Sequence, residues 1–198
     1  MPGPDAPPPL LAALARRAAA APAEPWLFQP RGGDWVWVSW EEGNHWAGEE
    51  ASRLPPGLGE LFRGPGQEVL LAAAEALEAA LPRGRALGRS RREVVVAGAG
   101  LRDPGDRALF TWSLLTGAAL VVEPEPAAVV PTTLWARPTL FHGDADRLAA
   151  FRRGAAGAPR AALRRLHSLV LAGPAPLPAE DLAHWRAHGV AVVPLPAS

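Results

Sequence analysis

From residue 93 onward, short apolar runs of strand length alternate with segments that carry helix signals. The apolar runs read EVVVAG, AALVVE, PTLFHG, LHSLVLAG and VAVVPL. The intervening segments show helix boundaries, with Asp144 as an N-cap before one and Gly117 as a stop after another. Parallel strands need a crossover between them, usually a helix. The alternation therefore predicts an α/β fold with a mainly parallel sheet flanked by helices.

The N-terminal part carries different patterns. Leu10, Leu11 and Leu14 lie at helical spacing and predict a short amphipathic helix. The stretch DWVWVSW alternates with a period of two and follows the turn RGGD, which predicts a β-hairpin with the apolar run before it. We thus expect a small N-terminal helix and hairpin region beside the sheet, with residues 1–9 flexible.

Two further helices are predicted before the regular alternation begins. Ser39, followed three residues later by Glu42, fits a capping box for a helix from about Trp40 to Arg53. The Ala- and Leu-rich stretch from Glu68 to Leu81 predicts a second helix. A length of 198 residues suits one domain, so residues 1–198 are predicted to form a single domain.

The composition excludes several kinds of chemistry. The chain has no cysteine and no lysine, so disulfides, cysteine zinc sites and Schiff-base catalysis are excluded. The formal net charge is +0, which gives no reason to expect nucleic acid or an anionic membrane as a partner. No segment of the sequence is long and apolar enough to span a bilayer. We expect a cytoplasmic protein with no nucleic-acid or membrane partner.

The order of the segments resembles the N-terminal domain of the adenylate-forming superfamily, which includes acyl-CoA synthetases and other AMP-binding enzymes. The resemblance lies in LLAALARRAAAAP, in SWEE before a helix, in ALFTWSLLTGAALVVEPEPAAVV, in ARPTLFHG and in LRRLHSLVLAGPAPLPAEDLAHWRAHGVAVV. It touches nearly the whole chain and is strongest from Phe110 to Val193. A full member is more than twice as long, so we expect a truncated and degenerate relative.

The resemblance implies a phosphate-binding loop before the helix that starts near Glu68. The family has hydroxyls, glycines and a lysine there, whereas this chain has FRGPGQEV. Gly64 and Gly66 keep a loop-like backbone, and Arg63 supplies the nearest positive charge. Where the family commonly has a histidine, this chain has Asp103, whose carboxylate would repel a phosphate.

The resemblance also implies a ligand-facing turn after the strand LHSLVLAG. The family turn Gly-Gly-Ala-Pro-Leu appears here as residues 173–177, with Pro174 replacing the second glycine and removing one N–H donor. The family motif Tyr-Gly-x-Thr-Glu and the lysine of the C-terminal lid domain do not occur among the 198 residues. The lost lysines and acidic metal ligand argue against adenylation, which needs stabilised charge on the phosphates.

We therefore predict a non-catalytic protein with no cofactor that binds a small acyl or aromatic molecule or acts as a dimeric scaffold. Two alternatives stay open: an acyl-CoA synthetase or ligase that uses ATP or AMP with Mg²⁺, and a pure protein-interaction module. No catalytic or metal-binding residue is assigned. The predicted ligand-binding residues are Arg63, Gly64, Gly66, Asp103, Phe141, His142, Gly143, Gly173, Pro174, Ala175 and Pro176.

Histidines raise the question of a metal site. His184 and His188 have i, i+4 spacing and share one helix face, with Asp181 three residues before the first. A solvated helix end that suits the dipole is the favoured interpretation, because no third ligand is evident. His142 lies at the carboxyl end of a predicted parallel strand, where open α/β sheets bind ligands, and a structural role is the alternative.

Tryptophans are concentrated in the N-terminal part of the chain. Trp26, Trp35, Trp37, Trp40 and Trp46 are five of the eight tryptophans in the sequence. One interpretation is packing in the core and hairpin, and the other is an aromatic surface for a partner. A shortened sheet would also expose edges that association covers, so a homodimer is predicted.

Overall fold

A seven-stranded sheet is the centre of the computed structural model, which describes residues 8–31, 34–55, 57–81, 93–97, 104–123, 132, 135–155, 164–173 and 175–194. The strands are β1 (Pro25–Arg31), β2 (Asp34–Ser39), β3 (Val94–Ala97), β4 (Ala119–Val122), β5 (Leu140–Gly143), β6 (Ser168–Leu171) and β7 (Ala191–Pro194). Their order is β2-β1-β4-β3-β5-β6-β7. Only the β1–β2 hairpin is antiparallel within this sheet. The predicted mainly parallel α/β fold is confirmed.

Seven α-helices surround the sheet in the described part of the chain. They are α1 (Pro9–Ala20), α2 (Trp40–Gly48), α3 (Leu58–Arg63), α4 (Gln67–Ala80), α5 (Pro104–Thr116), α6 (Ala145–Ala155) and α7 (Ala179–Ala187), with a 3₁₀ turn at Ala51–Arg53. None of the helices among these residues is long and apolar enough to cross a membrane.

The sheet has a hydrophobic cluster on each face, because successive side chains of a strand point to opposite sides. On β5, Leu140 belongs to the cluster that contains residues of helices α1 to α5. The next residue, Phe141, belongs to the cluster that contains residues of α6 and α7. Burial on both faces explains why the parallel strands are continuous apolar runs rather than alternating patterns.

Local signals place most of the predicted helix ends. Ser39 caps α2, and both hydrogen bonds of the capping box with Glu42 are present. Gly117 ends α5 with a φ of 80°, a left-handed conformation that glycine adopts without strain. Asp144 accepts a 2.8 Å hydrogen bond from the backbone N–H of Arg147 at the start of α6. These elements begin and end close to where the sequence predicts them.

The predicted helix from Trp40 to Arg53 is too long. Helix α2 ends at Gly48, and residues 51–53 form a separate 3₁₀ turn. Glycine in a helix has high conformational entropy to lose, and Pro55 follows too closely for the helix to continue. The capping box therefore predicted where the helix begins and not where it ends.

Three of the N-terminal tryptophans lie in the core. Trp26 is fully buried and stacks on Trp40 with ring centroids 5.2 Å apart. Trp46 is buried as well, while Trp37 on the edge strand β2 has 53% of its surface exposed. Packing in the core therefore accounts for three of these five tryptophans, whereas Trp37 is exposed on the hairpin. A partner surface on the hairpin stays a prediction.

Candidate functional site

The predicted strand-end residues lie at the carboxyl edge of the parallel sheet. His142 on β5 is in register with Ala97 on β3 and with Val170 on β6. Beyond it, Gly143 accepts a 2.9 Å hydrogen bond from the backbone N–H of Ala172, which follows β6. This edge is where open α/β sheets commonly bind ligands.

The structure separates the predicted residues of this edge. Phe141 points to the opposite face, where it stacks on Phe151 at 4.7 Å between ring centroids, so its side chain belongs to the core. Gly173, Ala175 and Pro176 are exposed in the segment after β6. Gly173 has a φ of 76°, and among the described residues, apart from its chain neighbours, no atom lies within 4 Å of where its Cβ would be.

Two predicted residues, Asp103 and Pro174, lie outside the described residues. Their assignment to a ligand site stays a prediction.

His142 instead meets a residue to which the sequence analysis gave no role in the site. Its Nδ1 lies 2.5 Å from Oδ1 of Asp106, in the first turn of α5, and both side chains have 0% of their surface exposed. The contact does not have hydrogen-bond geometry, and His142 Nε2 and Asp106 Oδ2 find no hydrogen-bond partner among the described residues. A buried polar group without a partner costs roughly 1–3 kcal/mol. The available sequence signal was an aspartate in the first turn of a predicted helix that follows a predicted strand.

A second buried polar pair lies at the same edge. Glu123 follows β4 directly, and its backbone N–H donates a 3.0 Å hydrogen bond to Ala97. Its carboxylate accepts a 2.7 Å hydrogen bond from the Thr132 hydroxyl, and both residues are buried. The carboxyl edge thus concentrates buried polar groups in an otherwise apolar sheet, which is typical of a binding site.

Arg63 lies elsewhere, at the end of α3. Its guanidinium donates hydrogen bonds of 3.2 Å to the carbonyl of Ala47 and 2.8 Å to that of Gly48. These carbonyls end helix α2 and carry the negative pole of its dipole. Arg63 therefore joins α3 to α2, and Gly64, directly after it, ends α3 through an N–H bond to the Glu60 carbonyl.

The segment before α4 is organised by Gln67, a residue that the sequence analysis did not single out. Its buried side-chain amide donates to the carbonyls of Leu61 and Phe62 at 3.1 and 3.0 Å. Its side-chain oxygen accepts a 3.0 Å hydrogen bond from the backbone N–H of Leu10 in α1. Gly66, just before it, has a φ of 82°. The segment before α4, where the resemblance implies a phosphate loop, is thus tied by hydrogen bonds to α1 and α3.

A cleft of about 560 Å³ opens beside α3. Arg63 and Gly64 line it together with Leu54, Ser52 and Glu60. Of the predicted residues, Arg63 and Gly64 therefore lie at this cleft, whereas His142 and Gly143 lie at the carboxyl edge of the sheet. Among the residues that the structure describes, no group of three or more histidines and carboxylates is arranged to hold a metal ion.

The amino edge of the sheet has a polar network of its own. His167 Nδ1 lies 2.8 Å from the Ser168 hydroxyl, and its Nε2 lies 3.2 Å from the Glu93 carboxylate. Burial pushes the pKa of Glu93 up, but hydrogen bonds from His167 and Thr139 and the nearby positive charge outweigh it, so the pKa lies below its ordinary value. Ser168 is fully buried, so this network holds strand ends rather than exposing a nucleophile.

The sheet order and the helices on both faces define an open α/β sheet, a class of fold that commonly binds ligands at its carboxyl edge. Many solved structures match this fold, and two of them cover nearly the whole chain. The N-terminal domain of FACL13 from Mycobacterium tuberculosis, in an inhibitor-bound crystal structure, matches with a TM-score of 0.67 and 12% identity, over 96% of this chain and 75% of that one. CmiS6 matches with a TM-score of 0.64 and 14% identity, over 96% of this chain and 71% of that one.

These matches confirm the fold that the resemblance implies. The chain shares that fold with the N-terminal domain of FACL13 and with CmiS6. No protein-family profile matches the sequence, and no curated protein matches it. Identities of 12–14% establish the fold alone, so a function has to be inferred from the chain's own residues.

Proposed function

We propose that this chain is a non-catalytic protein with the fold of an adenylate-forming N-terminal domain, and that it binds a small acyl or aromatic molecule at the carboxyl edge of its sheet. The buried contact between Asp106 and His142 is the observation that carries the proposal. Replacing a buried charged pair by apolar residues is often neutral or stabilising, so stability alone gives little reason for it. A ligand that donates a hydrogen bond to His142 Nε2 would give the buried pair a role in binding.

We propose a non-catalytic protein because the described part of the chain offers no free cationic side chain to bind a triphosphate near the loop before α4. The chain contains no lysine. Arg63, the cation nearest the loop before α4, donates to two carbonyls at the end of α2. Gln67 ties the same loop to α1 and α3. Adenylation needs cationic groups that are preorganised around the phosphates. The absence of lysine and the internal hydrogen bonds of Arg63 and Gln67 therefore support a protein that binds its small molecule without ATP, AMP or Mg²⁺.

Two measurements on the purified chain test this function. Mass spectrometry after mild denaturation should find a small acyl or aromatic compound with the wild-type protein. The double variant Asp106→Val/His142→Leu should lack it, and His45→Gln, a change at an exposed histidine of α2, should retain it. Titration calorimetry with ATP and Mg²⁺ should show no binding. Micromolar binding of ATP would restore the alternative of an acyl-CoA synthetase or ligase.

The exposed aromatic residues favour a second candidate function, a homodimeric scaffold. Trp37 and Trp135 have 53% and 54% of their surface exposed. Trp135 stacks on Trp35 at 5.4 Å between ring centroids, beside the edge strand β2. Exposed aromatic surface at a sheet edge is typical of an association site. Molecular mass in solution tests this candidate, and cell fractionation tests the proposed cytoplasmic location.

A further inference from the structure

The C-terminal end of α7 brings two imidazole rings together. His184 and His188 lie one helical turn apart, with ring centroids 4.4 Å from each other and ring planes at 37°. Imidazole nitrogens bind Zn²⁺ at about 2.0–2.1 Å, so two rings that share one ion at ligand angles of about 90–110° have centroids about 4.5–5.2 Å apart, and the observed separation lies at the short end of this range. His188 is the C-cap residue with φ −91° and ψ 4°, so the helical spacing continues to it. The separation of the rings suits a shared metal ion.

A backbone hydrogen bond determines which nitrogen of His188 is available. Its Nδ1 lies 2.8 Å from the carbonyl oxygen of His184. A carbonyl oxygen only accepts hydrogen bonds, so Nδ1 carries the proton. In the neutral ring, Nε2 then has the free lone pair. Metal-binding histidines commonly donate their other N–H to a backbone carbonyl or carboxylate in this way.

The neighbours of His184 limit the positive charge beside its ring and fix the orientation of the ring. Arg152 forms an ion pair with Asp181, so its charge is balanced close to the ring. The ring also packs edge-on against Trp185, with centroids 5.2 Å apart, which restricts its orientation.

We propose that His184 and His188 form a bidentate site for a divalent transition metal ion such as Zn²⁺, with water in the remaining positions. His188 is exposed, so the ion reaches the site from solvent. Imidazole nitrogen suits Zn²⁺, Cu²⁺ and Ni²⁺, whereas Mg²⁺ and Ca²⁺ prefer oxygen ligands. The site lies on α7, apart from Asp106 and His142, and does not depend on the proposed ligand function.

Calorimetric titration of the untagged full chain with Zn²⁺ at neutral pH tests the site. We expect one ion per chain, and an affinity at least about tenfold weaker in His188→Gln and in His184→Gln. The thermal midpoint of the wild type should rise with Zn²⁺, because an ion that binds only the folded state stabilises it. Mg²⁺ at the same concentration should give neither effect.

The matched control is His45→Gln, which removes an exposed histidine from α2, where its ring lies 3.6 Å from Glu49 and Glu50. This variant should bind Zn²⁺ as the wild type does. Because His188 is exposed, its substitution should leave the fold intact, which circular dichroism verifies. Absence of Zn²⁺ binding, unchanged affinity in His188→Gln, or loss of binding in His45→Gln would each overturn the proposal.

Discussion

Asp106 Oδ1 and His142 Nδ1 lie 2.5 Å apart where the first turn of α5 meets the carboxyl end of β5. The two side chains are enclosed in an otherwise hydrophobic layer, and their outer polar atoms lack partners among the described residues. The pair is thus costly to bury and lies at the edge where open α/β sheets commonly bind ligands. These two facts distinguish it from the other polar contacts described above.

Removing one member of this pair should strongly destabilise the fold. Asp106→Ala leaves His142 buried without its counter-group, and we expect a loss of about 3 kcal/mol in the free energy of unfolding. The double variant Asp106→Val/His142→Leu should lose far less or gain stability, because apolar residues of similar size avoid the burial cost. Urea unfolding measures both. A double variant as unstable as Asp106→Ala would show that the pair is structural.

Gly43 allows close contact between α2 and the core. A Cβ at this position would lie 2.2 Å from Cζ3 of Trp26, which is itself fully buried. Gly43→Ala should therefore destabilise the protein by about 1–3 kcal/mol through overpacking. Gly48 is on the same helix, and outside its own helix and chain neighbours no described atom lies within 4 Å of its Cβ position, so Gly48→Ala is the control. It should change stability by less than about 1 kcal/mol, and equal losses in the two variants would contradict the packing argument.

Gln67 should tolerate neither an apolar nor a charged replacement. Gln67→Met keeps the length of the side chain but leaves the N–H of Leu10 and the carbonyls of Leu61 and Phe62 without their partner, at a cost of about 1–3 kcal/mol. Gln67→Glu should cost more, since it faces the carbonyls with a carboxylate. The thermal unfolding midpoints of Gln67→Met and Gln67→Glu show which of the two variants is less stable. The exposed neighbour Glu68, changed to Gln, should have little effect.

The network at the amino edge predicts a pH dependence of stability. The pKa of Glu93 is lowered from its ordinary value of 4.5 in the folded state, so its stabilising contribution is complete above that value and is lost as the pH falls through the lower folded pKa. Glu93→Gln should remove this component. The free energy of unfolding is measured for the wild type and for Glu93→Gln between about pH 6 and about pH 3. The two values should differ at about pH 6 and converge at the acidic end. A constant difference across this range would refute the assignment.

The proposed dimer predicts an effect of the exposed edge strand on association. Trp37→Thr replaces the exposed aromatic side chain with a β-branched residue that also favours strands. Sedimentation equilibrium should give a dimer for the wild type and a monomer for this variant. Val69→Thr is the control, because Val69 is 60% exposed on α4, away from the hairpin. A wild-type monomer at all concentrations would exclude the scaffold function.

Much of the fold follows from short-range signals. The capping box at Ser39, the stop at Gly117 and the cap at Asp144 predicted helix ends because each depends on neighbouring residues. The end of α2 at Gly48 was missed, since a helix stops through the competition of weak propensities with tertiary packing. The edge location of His142 and Gly143 was predicted, because parallel strands expose their carboxyl ends together.

The sequence by itself determined the α/β class and the position of His142 at a strand end, because apolar periodicity and turn residues act over a few neighbours. Only the tertiary structure decided that Asp106 lies beside His142, that Arg63 joins two helices and that Gln67 organises the loop before α4. Each of these contacts joins segments distant in the chain or depends on the path of a loop. Side-chain partners of this kind depend on how the elements pack, which local patterns do not specify.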